Sequence, residues 1–465
     1  MVYLHRRISR SRFSRSRLTL VASCAAVLAV GAATVPSAGA ATAPVPVGLF
    51  GAQDPSYDGV FRQSLALLAY SAAGTTPPPA AVTWLLDQQC ADGGFQAFRA
   101  STAAACQKSD PVTYSGEDTN SSGLASAALR AIGRTAAADK ALSWVLAAQR
   151  SDGGFPYFVG GDSDANSTAV VLLGTNTAGR TPDSVQQGGV SAARFLESLQ
   201  IGCDGFATND DGGFAFQSYG GPLVDSDAAA VQATLALSGA ALPVTSRTVS
   251  TDVPRATCPS AASTASASTA SASPALTSAQ LGAGHLARLV DAFGAVPLFD
   301  YTSGSRIPDS VSTGDTAWAA LALAAVGVGR AQLDTALAAV RAQPLTKASV
   351  RVAGTASTSA ATAPDDAGLL ALAALATSAA GGPSSAVTAY VARIGATIRV
   401  APAAVTPTPS TSVTSSASTT SNAAVDPLAT SGPTPITPAL GGLGALLLLL
   451  GTGTVLATRR RGTHA

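Results

Sequence analysis

The chain has 465 residues, of which 47% are hydrophobic and only 12% charged, and its formal net charge is +1. This balance argues against a nucleic-acid partner, because 28 basic residues are matched by 27 acidic ones and leave no strongly basic chain. Aromatic residues make up 5% of the chain, which argues against a cavity lined with aromatic faces that stabilise cations.

The first 40 residues predict export. Basic residues without any acid come first, an apolar run follows at residues 18–35, and Ala38-Gly39-Ala40 supplies a small-x-small cleavage site. This order is typical of a secretory signal peptide over residues 1–40. A lipoprotein signal at Cys24 is the alternative, although little of the apolar run precedes that cysteine.

A repeated motif follows between residues 80 and 216. It consists of an aromatic and an aliphatic residue, a glutamine, and a glycine turn closed by phenylalanine; its copies are Trp84–Phe95, Trp144–Phe155 and Phe195–Phe214. Apolar residues on one face predict a helix at Ala80–Gln89 and another at Ala141–Gln149. The glycines end each helix, because glycine adopts left-handed conformations without steric cost.

A second helix is predicted after each turn. It begins with acidic and small polar residues that suit N-caps and the positive end of a helix dipole. Six such beginnings can be counted, at Tyr57–Gly59, Glu117–Asn120, Asp162–Asn166, Asp225–Asp227, Gly314–Thr316 and Pro364–Asp366. The first helix of the later hairpins is fainter, as at Ala283–Val290 and Leu333–Gln343. Six helical hairpins are enough to close a ring.

This pattern resembles the repeat of the terpenoid cyclase and protein prenyltransferase superfamily. The glutamine–glycine–aromatic motif of squalene cyclases is matched by Trp84–Phe95 and Trp144–Phe155, with Phe in place of the usual Trp. The resemblance implies an all-α fold, an α/α toroid of about six helical hairpins over residues 44–400. It leaves the function open, since the same toroid serves enzymes, vitamin carriers and thioester domains.

The resemblance also indicates which chemistry to expect. Prenyltransferases hold zinc with Asp, Cys and His, and no Asp-x-Cys pair with a downstream His stands in the second half of this chain. Squalene-type cyclases protonate their substrate with an Asp-x-Asp-Asp motif, which is incomplete at Asp162-x-Asp164, Asp225-x-Asp227 and Asp365-Asp366. We therefore expect no metal, no cofactor and no catalysis. A terpene-cyclase-like or glycan-active enzyme is the alternative, and a structural or adhesive surface module is the second.

The acids at the beginnings of the second helices are the candidate ligand-binding residues. Because the second helices of a toroid run the same way, these acids would surround one mouth of the ring. We expect a small or apolar ligand, or a glycan, to bind at this mouth or in the cavity of the ring. They are Asp118, Asp162, Asp164, Asp225, Asp227, Asp315 and Asp365. N-capping is the alternative role for each of them. Tyr57 and Trp318 stand near the same helix beginnings and are candidates to line the cavity.

Four cysteines remain after cleavage of a signal peptide. An even number in an exported chain favours disulfides. Of the three possible pairings, the neighbour pairing Cys90–Cys106 and Cys203–Cys258 is preferred. The small polar residues at about 259–275 predict a disordered insertion next to the second bridge.

The C-terminal segments predict a surface anchor. A Pro/Thr/Ser-rich stalk at residues 401–438 cannot bury a core, an apolar transmembrane helix is predicted at 439–458, and a basic cytoplasmic tail at 459–465. Within the stalk, Leu428, Ala429, Thr430, Ser431 and Gly432 resemble a sortase signal, with Ser where Thr is expected. Covalent attachment by sortase and simple membrane anchoring both stay open. We expect a monomer tethered to the cell envelope.

Overall fold

The computed structural model describes residues 46–258, 275–300, 305–346 and 363–401. The predicted signal peptide, the inserted segment, the sorting signal, the transmembrane helix and the basic tail lie outside the described residues, as does the stalk after residue 401. Among the described residues, none of the helices has the length and apolar character needed to cross a membrane.

The described part of the chain is mainly helical, as predicted. The helices are α1 (Gly59–Ala72), α2 (Pro79–Gln88), α3 (Thr119–Ala131), α4 (Thr135–Leu146), α5 (Ala165–Thr177), α6 (Ala192–Ser198), α7 (Asp227–Leu237), α8 (Ser278–Phe293), α9 (Thr313–Val326), α10 (Arg330–Arg341), α11 (Ala367–Ala379) and α12 (Ser384–Ala396). Three short antiparallel pairs join β1 (Phe155–Pro156) to β2 (Ser163–Asp164), β3 (Gln186–Gln187) to β4 (Val190–Ser191), and β5 (Leu298–Asp300) to β6 (Ser305–Ile307).

Odd- and even-numbered helices differ in burial. In α3 every residue from Thr119 to Leu129 is buried, whereas α4 buries only one stripe, which includes Ala138, Ala141 and Val145. A helix that is buried all round lies inside the protein, and one with a single apolar stripe covers it. We call the odd-numbered helices the buried helices and the even-numbered ones the flanking helices.

Each buried helix contacts two other buried helices. In chain order α1 contacts α3, α3 contacts α5, α5 contacts α7, α7 contacts α9 and α9 contacts α11, and α11 contacts α1 in turn. Each also packs against the flanking helix that follows it. Small residues allow close approach: a Cβ added at Gly174 in α5 would lie 2.7 Å from the backbone oxygen of Gly123 in α3. All six buried helices begin within one residue of the predicted positions.

The glutamine of the repeated motif ties its turn to the next flanking helix or, for Gln149, to the loop before that helix. Gln89 Nε2 donates to the backbone oxygens of Gly93 at 3.0 Å and Ala137 at 2.9 Å. Gln149 makes the same two kinds of hydrogen bond to Gly153 and Val185, and Gln200 makes them to Gly212 and Ser278. Two partly buried carbonyl groups are thereby satisfied by one side chain, which explains the recurrence of glutamine.

The phenylalanine that closes each turn has an apolar counterpart in every hairpin. Six residues at equivalent positions are at most 1% exposed: Phe50, Phe95, Phe155, Phe214, Val296 and Leu345. The backbone oxygens of Phe95, Phe214, Val296 and Leu345 each accept a hydrogen bond of 2.9 Å from the residue just before the next buried helix. The repeat therefore continues through the second half, where valine and leucine replace phenylalanine and obscure it in the sequence.

The first copy of the turn is shared between the two ends of the described chain. Phe50 pairs with Ile398, and the Gly48 amide donates to the Arg399 backbone oxygen at 2.8 Å. Gln63 bridges the Gly48 and Ala81 backbone oxygens at 3.0 and 2.9 Å, as the motif glutamines do elsewhere. Sequence reasoning missed this copy, because its glutamine follows the turn and the segment that pairs with the turn, at Thr397 and Ile398, lies about 346 residues further along the chain.

Both preferred disulfides are confirmed. Cys90 is bonded to Cys106 and Cys203 to Cys258, with Cα–Cα distances of 5.7 and 5.6 Å. The first bridge closes the loop that leads to α3, and the second joins the third glycine turn to the segment before residue 259.

Replacing Gly93 with alanine is expected to destabilise the fold more than the same change at Gly133. Both glycines have positive φ, +114° and +76°, so a side chain costs about 1–2 kcal/mol at either position. At Gly93 the new Cβ would also overlap the Lys140 backbone oxygen, whereas nothing lies within 4 Å at Gly133. This overlap is expected to increase the loss in free energy of unfolding at Gly93 by about 1–3 kcal/mol. Urea unfolding of both variants measures the difference, and equal losses would contradict the close approach.

Candidate functional site

One carboxylate stands at or beside the first turn of every buried helix. These residues are Asp58, Asp118, Asp164, Asp227, Asp315 and Asp366, and we call them together the acidic end. The beginnings of neighbouring buried helices lie side by side, since Asn166 Nδ2 in α5 donates to the Ala228 backbone oxygen in α7 at 3.1 Å. Likewise, a Cβ at Gly368 in α11 would lie 3.7 Å from Arg62 Cγ in α1.

Part of the acidic end performs N-capping. Asp118 and Asp164 each accept a hydrogen bond of 2.7 Å, from the backbone amides of Ser121 and Ser167 respectively. Such a cap contributes about 1 kcal/mol. Asp366 rather than Asp365 caps α11, and Asp365 instead accepts a hydrogen bond of 2.6 Å from Arg393 Nη2.

Capping leaves two carboxyl oxygens of the acidic end without partners. Asp118 Oδ2 and Asp315 Oδ1 are buried and make no hydrogen bond, and neither does the neighbouring Thr313 Oγ1. Leaving one such atom unpaired costs about 1–3 kcal/mol. Native proteins rarely keep such atoms unless water, an ion or a ligand satisfies them. These three atoms are therefore the candidate binding positions of the acidic end.

Burial also changes the protonation of these acids. Loss of hydration raises the pKa of Asp118 to about 7, against the opposing effect of its bonds to Ser121. Burial likewise raises the pKa of Asp315 to about 7, and the nearby charge of Asp227 acts in the same direction. Burial raises the pKa of Asp164 to about 6. A carboxyl group in this range can accept or donate a proton near neutral pH.

A buried cation stands at the same end. Arg62, 1% exposed, donates from Nη1 to both oxygens of Asp58 at 2.5 and 2.6 Å and from Nε to the Phe50 backbone oxygen. Its Nη2 is buried and has no partner. The acidic end thus contains one unpaired donor, Arg62 Nη2, in addition to its unpaired acceptors. Sequence reasoning passed over Arg62, although a lone arginine inside an apolar helix is itself a signal of a paired or functional charge.

The Asp225-x-Asp227 pair belongs to an ion network. Arg306 in β6 contacts Asp225 and Asp227, with Nη2–Oδ1 at 2.8 Å to the latter, and its Nη1 lies 3.0 Å from Asp210 Oδ1. His285 Nε2 lies 3.2 Å from Asp225 Oδ2. Sequence reasoning missed Arg306 and His285, because both come from segments distant from the acids and carry no motif.

This network determines the protonation of its members. Burial disfavours the charged imidazole of His285, but the adjacent Asp225 carboxylate outweighs it, so the pKa of His285 is raised. Burial alone would raise the pKa of Asp225, but the charges of His285 and Arg306 lower it. Ligand atoms of Asp225, Asp227 and His285 lie within 4.8 Å of one another, close enough for a metal ion. The Arg306 guanidinium already supplies positive charge to both carboxylates there.

The remaining candidates from the sequence lie elsewhere. Asp162 is 91% exposed in its side chain and lies 3.5 Å from Arg150. Tyr57 is 55% exposed. Trp318 is only 1% exposed and is part of the hydrophobic core. The structure thus brings together Asp118, Asp164, Asp227 and Asp315 as buried groups at helix beginnings, and separates Asp162 from them.

Comparisons with known proteins add little. No known protein family matches the chain, and no curated protein is similar to it. Among solved structures, a protein from Actinoplanes is similar at 16% identity, with a TM-score of 0.37 and coverage of 76% of this chain and 92% of that chain. A similarity at this level carries no argument about fold or function.

Proposed function

We propose that this protein is an exported, surface-anchored α/α toroid that binds a ligand at its acidic end without transforming it. The cyclic order of contacts among the buried helices, with α11 against α1, supports the toroid and the proposed membership in the terpenoid cyclase and prenyltransferase superfamily. Two disulfides support export, because such bonds persist in oxidising compartments.

One observation carries the binding proposal. Asp118 Oδ2 and Asp315 Oδ1 are buried carboxyl oxygens without hydrogen-bond partners, at the beginnings of two buried helices. A ligand that donates hydrogen bonds to them would remove the cost of leaving them unpaired. The unpaired Arg62 Nη2 could accommodate an acceptor on the same ligand. The ligand is therefore a polar molecule or a molecule with a polar group that enters the acidic end.

Acid catalysis is the second candidate function. The observation that favours it is the raised pKa of Asp118 and of Asp315, each about 7. A general acid works best when its pKa lies near the operating pH. Under this alternative Asp118 protonates the glycosidic oxygen of a bound glycan, the bond from that oxygen to the anomeric carbon breaks, water adds to that carbon, and shorter sugars accumulate. A pKa near 7 does not favour protonation of a terpenoid alkene, which needs a stronger acid.

The test is to identify what the native protein carries. We would purify the full chain from the producing organism, denature it, extract it, and analyse the extract by mass spectrometry. A stoichiometric compound is expected in the wild type and a strongly reduced amount in the Asp118→Asn, Asp315→Asn double variant. Asparagine retains N-capping at position 118, so the helices remain intact.

Asp334→Asn is the matched control, because Asp334 is an exposed acid paired with Arg330 in α10. This variant should keep the compound at the wild-type level. Extracts without any bound compound, or the same amount in all three proteins, would contradict binding at the acidic end. Conversion of the compound by the wild type but not by the double variant would favour the catalytic alternative.

A further inference from the structure

Three carboxylates face a single arginine beside the beginning of α7. Arg306 Nη1 lies 3.0 Å from Asp210 Oδ1, Arg306 Nη2 lies 2.8 Å from Asp227 Oδ1, and the same nitrogen contacts Asp225. The side chains of Asp225 and Asp227 are only 5% and 3% exposed, so solvent and salt screen their charges little. One guanidinium does not neutralise three carboxylates, and even a protonated His285 would leave one negative charge in excess. The cluster therefore has the charge to attract a doubly charged cation.

The imidazole of His285 supplies a nitrogen atom to this cluster. His285 lies in α8 and is 0% exposed. Its Nδ1 lies 3.3 Å from the Asn209 backbone oxygen, and because a carbonyl oxygen only accepts, Nδ1 carries the proton. Its Nε2 lies 3.2 Å from Asp225 Oδ2 yet makes no hydrogen bond. Histidines that bind a metal hold their other ring N–H on a backbone oxygen or a carboxylate in the same way, so Nε2 of the neutral imidazole is a ligand atom.

Two carboxylates and the imidazole are close enough to hold one ion. One ligand atom from each of Asp225, Asp227 and His285 lies within 4.8 Å of the other two. Zinc binds carboxylate oxygens and imidazole nitrogens at about 2.0–2.2 Å, so its ligand atoms stand about 3–4 Å apart, and a bound ion would draw these three together. This mixture of oxygen and nitrogen ligands suits Zn²⁺, whereas Ca²⁺ and Mg²⁺ prefer oxygen ligands alone.

Arg306 lies on the side of the cluster from which a cation can enter. The side chains of Arg306 and Asp210 are 18% and 23% exposed, whereas Asp225, Asp227 and His285 are buried. Arg306 belongs to β6, which pairs with β5 as a two-stranded sheet, and such a pair is only marginally stable by itself. The arginine side chain also has many rotamers. The guanidinium can therefore leave the carboxylates while α7 and α8 stay in place.

We propose that Asp225, Asp227 and His285 form a zinc site, and that the Arg306 guanidinium takes the place of the ion when the metal is absent. Zn²⁺ and the guanidinium compete for the same two carboxylates, so the metal displaces Arg306 and releases β6 from the beginning of α7. Three protein ligands leave the fourth position of the ion to water. This inference goes beyond the proposed function, because it does not depend on a ligand at Asp118 and Asp315. It departs from the expectation, drawn from the sequence, that the protein binds no metal.

The experiment is calorimetric titration of the full chain with zinc chloride, after dialysis against EDTA and then against a buffer that contains Mg²⁺. One Zn²⁺ is expected to bind to each chain. His285→Gln removes the imidazole and should raise the Kd at least about tenfold. Arg306→Gln removes the competing cation and should lower the Kd about tenfold. Arg330→Ala, which removes an arginine that is 45% exposed on α10, is the matched control and should leave the Kd unchanged.

The opposite responses of the two variants distinguish a metal site from an ion network with a purely structural role. Circular dichroism checks that both variants fold. If His285→Gln does not fold, X-ray absorption at the zinc edge of the wild-type complex replaces it and should show an imidazole nitrogen among oxygen ligands, without sulfur. The inference is overturned by the absence of zinc binding in both the wild type and Arg306→Gln, by a Kd that His285→Gln does not change, by weaker binding in Arg306→Gln, or by zinc bound without an imidazole.

Discussion

Replacing Arg306 with alanine is expected to lower the free energy of unfolding by about 3–5 kcal/mol. Arg306 contacts Asp210, Asp225 and Asp227, and the side chains of Asp225 and Asp227 are only 5% and 3% exposed. Without the guanidinium these two carboxylates would remain buried next to each other with His285 as their nearest positive charge. Urea unfolding of the full chain, followed by circular dichroism, measures the loss.

Arg330→Ala is the matched control for this prediction. Arg330 forms an ion pair with Asp334 one turn further along α10, and both side chains are about half exposed, at 45% and 53%. Such a surface pair contributes about 0.3–0.5 kcal/mol. If Arg306→Ala cost no more than Arg330→Ala, the network around Asp225 would not hold β6 against α7.

Raising the pH from 4 to 8 is expected to destabilise the wild-type protein. An acid whose pKa is lowered by an ion pair would instead stabilise the fold as the pH rises. The pKa of Asp118 and of Asp315 rises from the ordinary aspartate value of 3.8 to about 7 in the folded protein. Between these values the unfolded chain releases the protons while the folded chain keeps them. Stability is therefore greatest below about pH 4 for these groups and falls until about pH 7.

In the Asp118→Asn, Asp315→Asn double variant, the free energy of unfolding should depend much less on pH. One pKa unit corresponds to about 1.4 kcal/mol, so the two groups together account for several kcal/mol as an order of magnitude. A residual dependence of stability on pH is expected from Glu117 and Asp164, because burial raises their pKa values to about 7 and about 6, and from His285, whose raised pKa acts in the same direction. Urea midpoints at several pH values measure both curves, with Asp334→Asn as the control. Parallel curves for the double variant and the wild type would mean that these carboxyls do not titrate as buried groups.

The sequence was informative wherever one structural role requires one residue type. The turns at Gly93, Gly153 and Gly212 need positive φ and no Cβ, so glycine repeats there and the first hairpins were predictable. The closing apolar position accepts Phe, Val or Leu alike, because it only needs to be filled. Val296 and Leu345 therefore stand at equivalent positions in the structure without standing out in the sequence.

The candidate site was predictable in part for the same reason. Acids at helix beginnings follow from capping and the helix dipole, and this pattern found Asp118, Asp164, Asp227 and Asp315. It could not separate Asp162, which faces solvent, from Asp164 two residues later, which is buried. Nor could it find that Trp318, placed near a helix beginning, belongs to the core.

By itself the sequence determined the mainly helical fold and the positions at which the buried helices begin, because these depend on short-range chemistry along the chain. It favoured one of three disulfide pairings, which the structure confirmed. The signal peptide, the stalk and the anchor stay predictions. Only the tertiary structure decided which groups from distant segments of the chain come into contact. It joined Phe50 to Ile398, brought Arg306 and His285 to Asp225, and left Asp118 Oδ2 and Asp315 Oδ1 unpaired. The physical reason is that a buried charge depends on neighbours from distant segments, and the local pattern of residues does not specify those neighbours.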